Sequence, residues 1–451
     1  VILTRKIQCL LPAVALLLSV HSSVHADWDR FRGPNGSGTA EGLVNLPETW
    51  TTSENVKWKR ELPGRGVSCP IVVGDRVFAT AYSGYGMGRD SVGEITDLMR
   101  HLICVNRNTG EVEWKIDVAA VQPEDPYSGS GVPSHGYASH TPASDGERVY
   151  VFFGKTGVLA FDLEGNKLWQ TSVGRGSGKQ RWGSSASPVL AGDVVVINAS
   201  DEAESLIGLD KMTGEERWRI TDQALQSVWA TPILHDDKII MTVAGSVWAI
   251  DPVTGEKLWS AQGANSDQTN VGPIVSEDVL FLQSSRGGNS VAVHADGSRS
   301  DAVWEAPLQS RYASPIAHDG YIYSVNGDVF SCLNAKTGER VFQKRLPGSP
   351  EPPAQANVAE GAPTQRGGRG GRGGRGGGGR GGDYPSPVLI DGKIYILKKT
   401  GAIHVIAAKP EFEAISIADM TADTSGFDST PAVSDGNMFI RSETTLYCIG
   451  K

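Results

Sequence analysis

The chain has 451 residues, with 42 basic against 51 acidic side chains and a formal net charge of −9. That length suits one large domain or several small ones, and the acidic balance excludes nucleic acid as the main partner, because a phosphate backbone calls for a positive surface.

The first 26 residues read as a signal peptide. Arg5 and Lys6 supply the charged region, an apolar run from Cys9 to Val20 follows, and Val24-His25-Ala26 presents small residues at the two positions a signal peptidase reads. The apolar run is too short for a bilayer, which takes roughly 20 residues, and no other stretch is apolar enough to cross one. Cleavage after Ala26 leaves Asp27 where a lipid anchor would require cysteine, so an exported protein without a lipobox is expected, periplasmic or extracellular. Loss of Arg5 and Lys6 takes the 42 basic residues to 40 against 51 acidic, a charge of about −11.

Residues 27–54 form an N-terminal extension, and a repeat occupies 55–451. A proline preceded by a small or polar residue recurs at Pro70, Pro142, Pro188, Pro232, Pro273, Pro315, Pro387 and Pro431. Each of the first seven is followed by four short β-rich runs separated by Gly-Asp, Asp-Gly or Thr-Gly turns, and nothing has a helical period. Four strands per unit describe one propeller blade. The eighth unit stops one strand short at Leu446-Tyr447-Cys448-Ile449, and the missing strand stands at the other end as Asn55-Val56-Lys57-Trp58-Lys59. The expected fold is therefore all-β: an eight-bladed β-propeller of four-stranded blades, its ring closed by the N-terminal strand completing the last blade. Closure of this kind removes two sheet edges.

The aromatic slot of the fourth strands reads Trp58, Trp114, Trp169, Trp218, Trp259, Trp304, Phe342 and Phe412. Large flat side chains there are read as inter-blade packing. Cys104, Cys332 and Cys448 share a third-strand slot that elsewhere holds Ala160, Gly208, Ala249, Ala292 and Val405, so it wants a small buried side chain. Equivalent strands of different blades lie too far apart for a disulfide, and Cys69 stands two strand spacings from Cys104. All four are expected to be unpaired.

Asp201, Glu202 and Glu204 are read as a solvated turn rather than a cation site, and His135 and His140 as polar loop histidines without metal spacing. No haem motif, nucleophile elbow or phosphate loop is present. The Pro/Ala-rich and Arg-Gly-Gly insertion 347–383, with arginines at 366, 369, 372, 375 and 380, cannot bury a core. It is expected to be a disordered loop between the sixth and seventh blades, with contact to polyanions as the alternative.

Turns joining first to second and third to fourth strands are uniformly tight, whereas the insertions at 82–100, 117–138, 174–184, 260–269, 284–290 and 344–383 all fall on the opposite face. Residues just before the prolines should ring a funnel mouth on that loop-rich face: His140, Trp229, Asn270, Arg311, Tyr312, Tyr384 and Asp428, with Arg181 and Trp182 on a nearby connection. An aromatic-plus-arginine rim suits a planar, anionic or peptide-like ligand, or else these residues cap the inner strands and bind structural water.

Ala249-x-Asp251-x-x-Thr254-Gly255-x-x-x-Trp259, repeated from Asp210 to Trp218, resembles the repeat of the pyrroloquinoline-quinone-like (PQQ-like) propellers. The stretch Trp28-Asp29-Arg30-Phe31-Arg32-Gly33-Pro34-Asn35-Gly36 resembles the opening of secreted bacterial BamB-like proteins. The superfamily holds both scaffolds and quinoprotein dehydrogenases, so the resemblance implies two readings. The first is a non-catalytic exported scaffold, without cofactor, binding a protein or an envelope polysaccharide. The alternative is a quinoprotein alcohol or sugar dehydrogenase carrying PQQ and Ca²⁺. The adjacent cysteines typical of such dehydrogenases are missing from this chain.

Overall fold

The repeat begins with a turn that ties itself. Asp210 Oδ1 accepts the N–H groups of Met212 and Thr213, Thr213 Oγ1 accepts from Glu215, and the Gly214 N–H returns to the Asp210 carbonyl. Asp251, Asn106 and Asn334 build the same turn. Such Asx turns reverse the chain between two short antiparallel strands without outside help.

The computed structural model describes residues 28–40, 45–129, 131–349 and 384–451. The expected signal peptide and the Arg-Gly-Gly run lie outside these. The described residues form eight four-stranded antiparallel sheets. In the first blade the strands are Ile71–Val73, Arg76–Ser83, Met99–Asn106 and Val112–Ala119. First strands are short and buried, second and third strands are buried almost throughout, and fourth strands alternate between buried and exposed. That gradient is what blades stacked around an axis require: only the outermost strand meets water on one face.

The eighth sheet pairs Val56–Glu61 with Thr445–Ile449, Trp58 lying opposite Cys448. The two ends of the repeat region are thus joined in one sheet.

The fourth-strand aromatics staple neighbouring blades. Trp169 lies against Gly214 of the next blade, where an added Cβ would come within 2.5 Å of the ring, and its Nε1 donates to the Lys211 carbonyl at 3.1 Å. Trp218 does the same with Gly255 and the Pro252 carbonyl. Both glycines have φ near +74° (74° and 73°), so the Thr-Gly turn leaves a flat, side-chain-free seat for the ring.

Phe412 departs from the expected slot. The register places Ser416, not Phe412, opposite Val405, as Trp169 stands opposite Ala160. Phe412 lies in the preceding turn, edge-on to Phe342 at 5.7 Å, and so fills the seat a glycine holds elsewhere. The vacant place in the seventh blade is taken by Trp50, 1% exposed, which stacks on Tyr395 at 6.2 Å. Its segment runs beside Ala414–Asp419: Asp419 N–H donates to the Trp50 carbonyl and Ser416 Oγ to that of Glu48. A residue from the N-terminal extension completes the aromatic set.

The rest of that extension crosses the axis. The Trp28 carbonyl accepts from Val72, that of Asp29 from Ser144, and that of Gly38 from Leu389, while Gly36 rests on Ile233. Residues 28–40 thereby touch the inner strands of blades one, two, four and seven and plug the channel.

Candidate functional site

The prolines that open the inner strands are preceded by Cys69, Thr141, Ser187, Thr231, Gly272, Ser314, Ser386 and Thr430. These residues form a belt around the axis. In seven of the eight steps the N–H of one donates to the side chain of the next: Cys69 to Thr141, Thr141 to Ser187, Ser187 to Thr231, each at 3.0 Å. Gly272 donates to Ser314, Ser314 to Ser386, Ser386 to Thr430, and Thr430 to the Cys69 sulfur at 3.1 Å. The small polar residue before each proline is therefore a hydrogen-bond acceptor that ties one blade to its neighbour, and Cys69 takes the part of a serine.

Above the belt, on the loop-rich face, opens a cavity of about 390 Å³ with Phe31 of the N-terminal segment among its walls. Of the residues expected at the funnel mouth, Trp182, Trp229, Asn270, Arg311, Tyr312, Tyr384 and Asp428 line it. Tyr312 and Tyr384 stack at 4.2 Å with the Arg311 guanidinium 5.1 Å from the Tyr312 ring, and Trp182 and Trp229 pack at 5.3 Å on another part of the wall. Asn270 Nδ2 donates to the Arg311 carbonyl at 3.1 Å and holds that corner. Asp428 is paired with Lys399.

Two expected residues stand elsewhere. Arg181 is exposed, its backbone turned into the left-handed region at φ 51°, and it does not line the cavity. His140 is buried behind the wall, against the Phe152 ring, with Nε2 3.0 Å from Ser184 Oγ. Counting back from a proline locates the strand end but not the direction of the side chain, which follows the twist. His135 lines the cavity instead: Nε2 lies 2.8 Å from the Trp182 carbonyl, which can only accept, so Nδ1 accepts from Ser139 Oγ at 2.7 Å.

The acidic turn is also corrected. Glu204 is exposed, as a solvated turn requires, but Asp201 and Glu202 are each 5% exposed on the short helix Ser200–Ala203. They belong to a charged cluster behind the aromatic wall. Arg100 meets Glu124 at 2.6 Å, Lys155 meets Asp125 at 3.0 Å, and Ser184 bridges His140 and Glu202. Asp201 accepts from Trp229 Nε1 at 3.2 Å, so the cluster also orients the funnel wall. Burial pushes the Glu202 carboxyl up to about 8 and that of Asp201 to about 6, and holds the His140 imidazole down at about 3. The triplet looks solvent-loving in sequence because the partners of its buried members, Ser184 for Glu202 and Trp229 for Asp201, stand 18 and 28 residues away on other segments.

The donor set bears on the cofactor. Ca²⁺ takes six to eight oxygen ligands, chiefly carboxylates and carbonyls. Among the described lining residues the one carboxylate is Asp428, and it is committed to Lys399. No group of three His, Cys, Asp or Glu side chains that could hold a metal occurs among the described residues. The lining offers flat rings for a planar guest but does not fit a Ca²⁺–PQQ pair.

Eight blades, the Asp-x-x-Thr-Gly turn and its tryptophan staple define a PQQ-like β-propeller. The family described as outer membrane protein assembly factor BamB matches residues 49–200 and 172–359, more than half of the chain, and the chain belongs to that family. A polyvinylalcohol dehydrogenase from Pseudomonas sp is 24% identical over 287 residues, 53% of this chain and 39% of that protein, so the match spans well under half of this relative's length. BamB from Moraxella catarrhalis superposes with a TM-score of 0.58 at 14% identity, covering 87% of this chain and 95% of that one. A europium-containing methanol dehydrogenase superposes at 0.64 with 10% identity, covering 94% and 98%. The computationally designed Ika8 protein follows at 0.54 and 13%, covering 87% and 98%. At these identities the superpositions show the fold alone, and a fold shared by an assembly factor, a dehydrogenase and a designed protein assigns no activity.

Proposed function

We propose that this chain is an exported binding propeller that receives a flat, anionic or peptide-like group of its partner in the funnel of the loop-rich face. The observation that carries the reading is the pairing of stacked Tyr312 and Tyr384 with Arg311, across a cavity that also presents Trp182 and Trp229. Rigid rings beside a guanidinium bind a planar or carboxylate-bearing group at small entropic cost. The partner class, a protein or an envelope polysaccharide, fits a BamB-like scaffold, and the family supports export. The dehydrogenase reading draws on the Pseudomonas relative, and the lining's single carboxylate, Asp428, already paired with Lys399, counts against it.

The test is capture from the native envelope fraction, repeated with paired variants. Arg311→Ala and Tyr312→Ala should lose the captured partner. Lys336→Ala and Lys211→Ala, on the tight-turn face, should not. Trp229 is a poor probe, since its indole also anchors Asp201. Equal loss from both pairs would refute the face assignment. Dye reduction on reconstitution with PQQ and Ca²⁺ would favour the dehydrogenase instead.

A further inference from the structure

The belt of hydrogen bonds has one gap. Seven of its eight steps end on a side chain that can accept, but Thr231 faces Gly272, which has none. No acceptor among the described residues takes the Thr231 N–H. Thr231 is half-buried, and an N–H held in the belt with no protein acceptor calls for a small guest to accept from it.

The gap opens onto a cavity of about 20 Å³, bordered by Thr231, Gly272, Ser314, Phe31 and Arg32. One water-sized guest fits, since roughly 10–15 Å³ on this measure suffices. Arg32 is 2% exposed. Its Nη2 donates to the carbonyls of Ser37 and Pro315, but its Nε has no hydrogen bond, and no carboxylate pairs with it among the described residues. Burial lowers the guanidinium to about 9, which leaves it charged at neutral pH. An unpaired buried cation is costly and calls for a counter-charge. The hydroxyls of Thr231 and Ser314 already accept belt N–H groups, so their own hydrogens are available to donate.

We propose that this cavity is a binding site for one small monovalent anion of the halide class, held by Arg32 and the Thr231 N–H beneath the funnel. The anion neutralises the one and satisfies the other. A second amide acceptor such as water would satisfy Thr231 but leave Arg32 without a counter-charge. The site would pin the N-terminal plug to blades four to six, because Arg32 belongs to the plug and Thr231, Gly272 and Ser314 to those blades.

Crystals of the full chain grown without halide and soaked in bromide test this directly. An anomalous peak within hydrogen-bonding reach of Arg32 Nε and Thr231 N is expected. In solution, bromide should raise Tm above that in gluconate of equal ionic strength by about 1–3 °C, because gluconate is too large for the cavity. Arg32→Met should remove that halide-specific rise. Should that variant fail to fold, Gly272→Ser serves: it places the missing hydroxyl in the gap, at a residue whose backbone lies outside the left-handed region, and it too should remove the rise. No anomalous density at this position, or a halide-specific rise that survives in a folded variant, overturns the proposal.

Discussion

Single residues carry two chemical consequences. Cys69, Cys104, Cys332 and Cys448 are all buried and unpaired. Burial pushes the last three up to about 12 and raises Cys69 as well, so none presents a thiolate at neutral pH. A maleimide should label none of the four in the folded protein and all four after denaturation without reductant; fewer labels would reveal a disulfide. Glu202 supplies a pH dependence. From its ordinary 4.5 up to about 8, the folded state keeps a proton that the unfolded chain has released, so stability falls as pH rises through that window. His140 works the other way: between about 3 and its ordinary 6.5 the unfolded chain takes up a proton that the buried ring refuses, so stability rises with pH there. The two slopes oppose each other below pH 6.5 and leave Glu202 alone above it. Tm should therefore fall between roughly pH 6.5 and 8, and Glu202→Gln should flatten that fall. An unchanged slope in the variant would show that Glu202 is ionised in the fold.

Among elements, the seventh blade differs in borrowing its aromatic. Ala414–Asp419 carries Ser416 in the slot, and the 48–51 segment lays Trp50 on Tyr395. If Trp50 does for the seventh blade what Trp169 does for the second, Trp50→Ala should cost about 3–5 kcal/mol, like other truncations of a buried tryptophan. Denaturant melts of Trp50→Ala and Trp169→Ala would compare the two. A cost below about 1 kcal/mol for Trp50→Ala would mean that its segment lies on the blade without supporting it.

For the whole molecule, the N-terminal extension and the strand that follows it do three jobs in sequence order: the extension plugs the axis over 28–40 and completes the seventh blade at Trp50, and the strand Val56–Glu61 closes the ring. Truncations should separate them. A mature chain beginning after residue 40 should still melt cooperatively, at lower temperature, because the ring stays closed. A chain beginning after residue 60 should lose cooperative folding, since the eighth blade is left with an unpaired strand edge and no Trp58. Circular dichroism melts of both would decide it, and a cooperative transition at unchanged temperature in the shorter chain would refute closure through this strand.

The number of blades, the ring closure and the loop-rich face were legible in the residues because a repeat writes the same local solution eight times. Asx turns and strands are short-range physics. The eight prolines counted the blades, and the three-stranded last unit pointed to the strand around Trp58. Where the pattern broke, local reading broke with it: Phe412 looked like the missing aromatic, yet it lies in the turn before the strand, the slot falls to Ser416, and the place is left to Trp50. The funnel wall was half legible, since a strand end is countable but the side chain's direction is set by the blade's twist, which sent His140 inward and left Arg181 outside. Only the tertiary structure decided that Asp201 and Glu202 are buried, that Phe31 meets the funnel, and that Gly272 interrupts the belt. Each of these depends on groups that meet across the axis or between neighbouring segments of the ring, and such contacts leave no periodic trace in the chain.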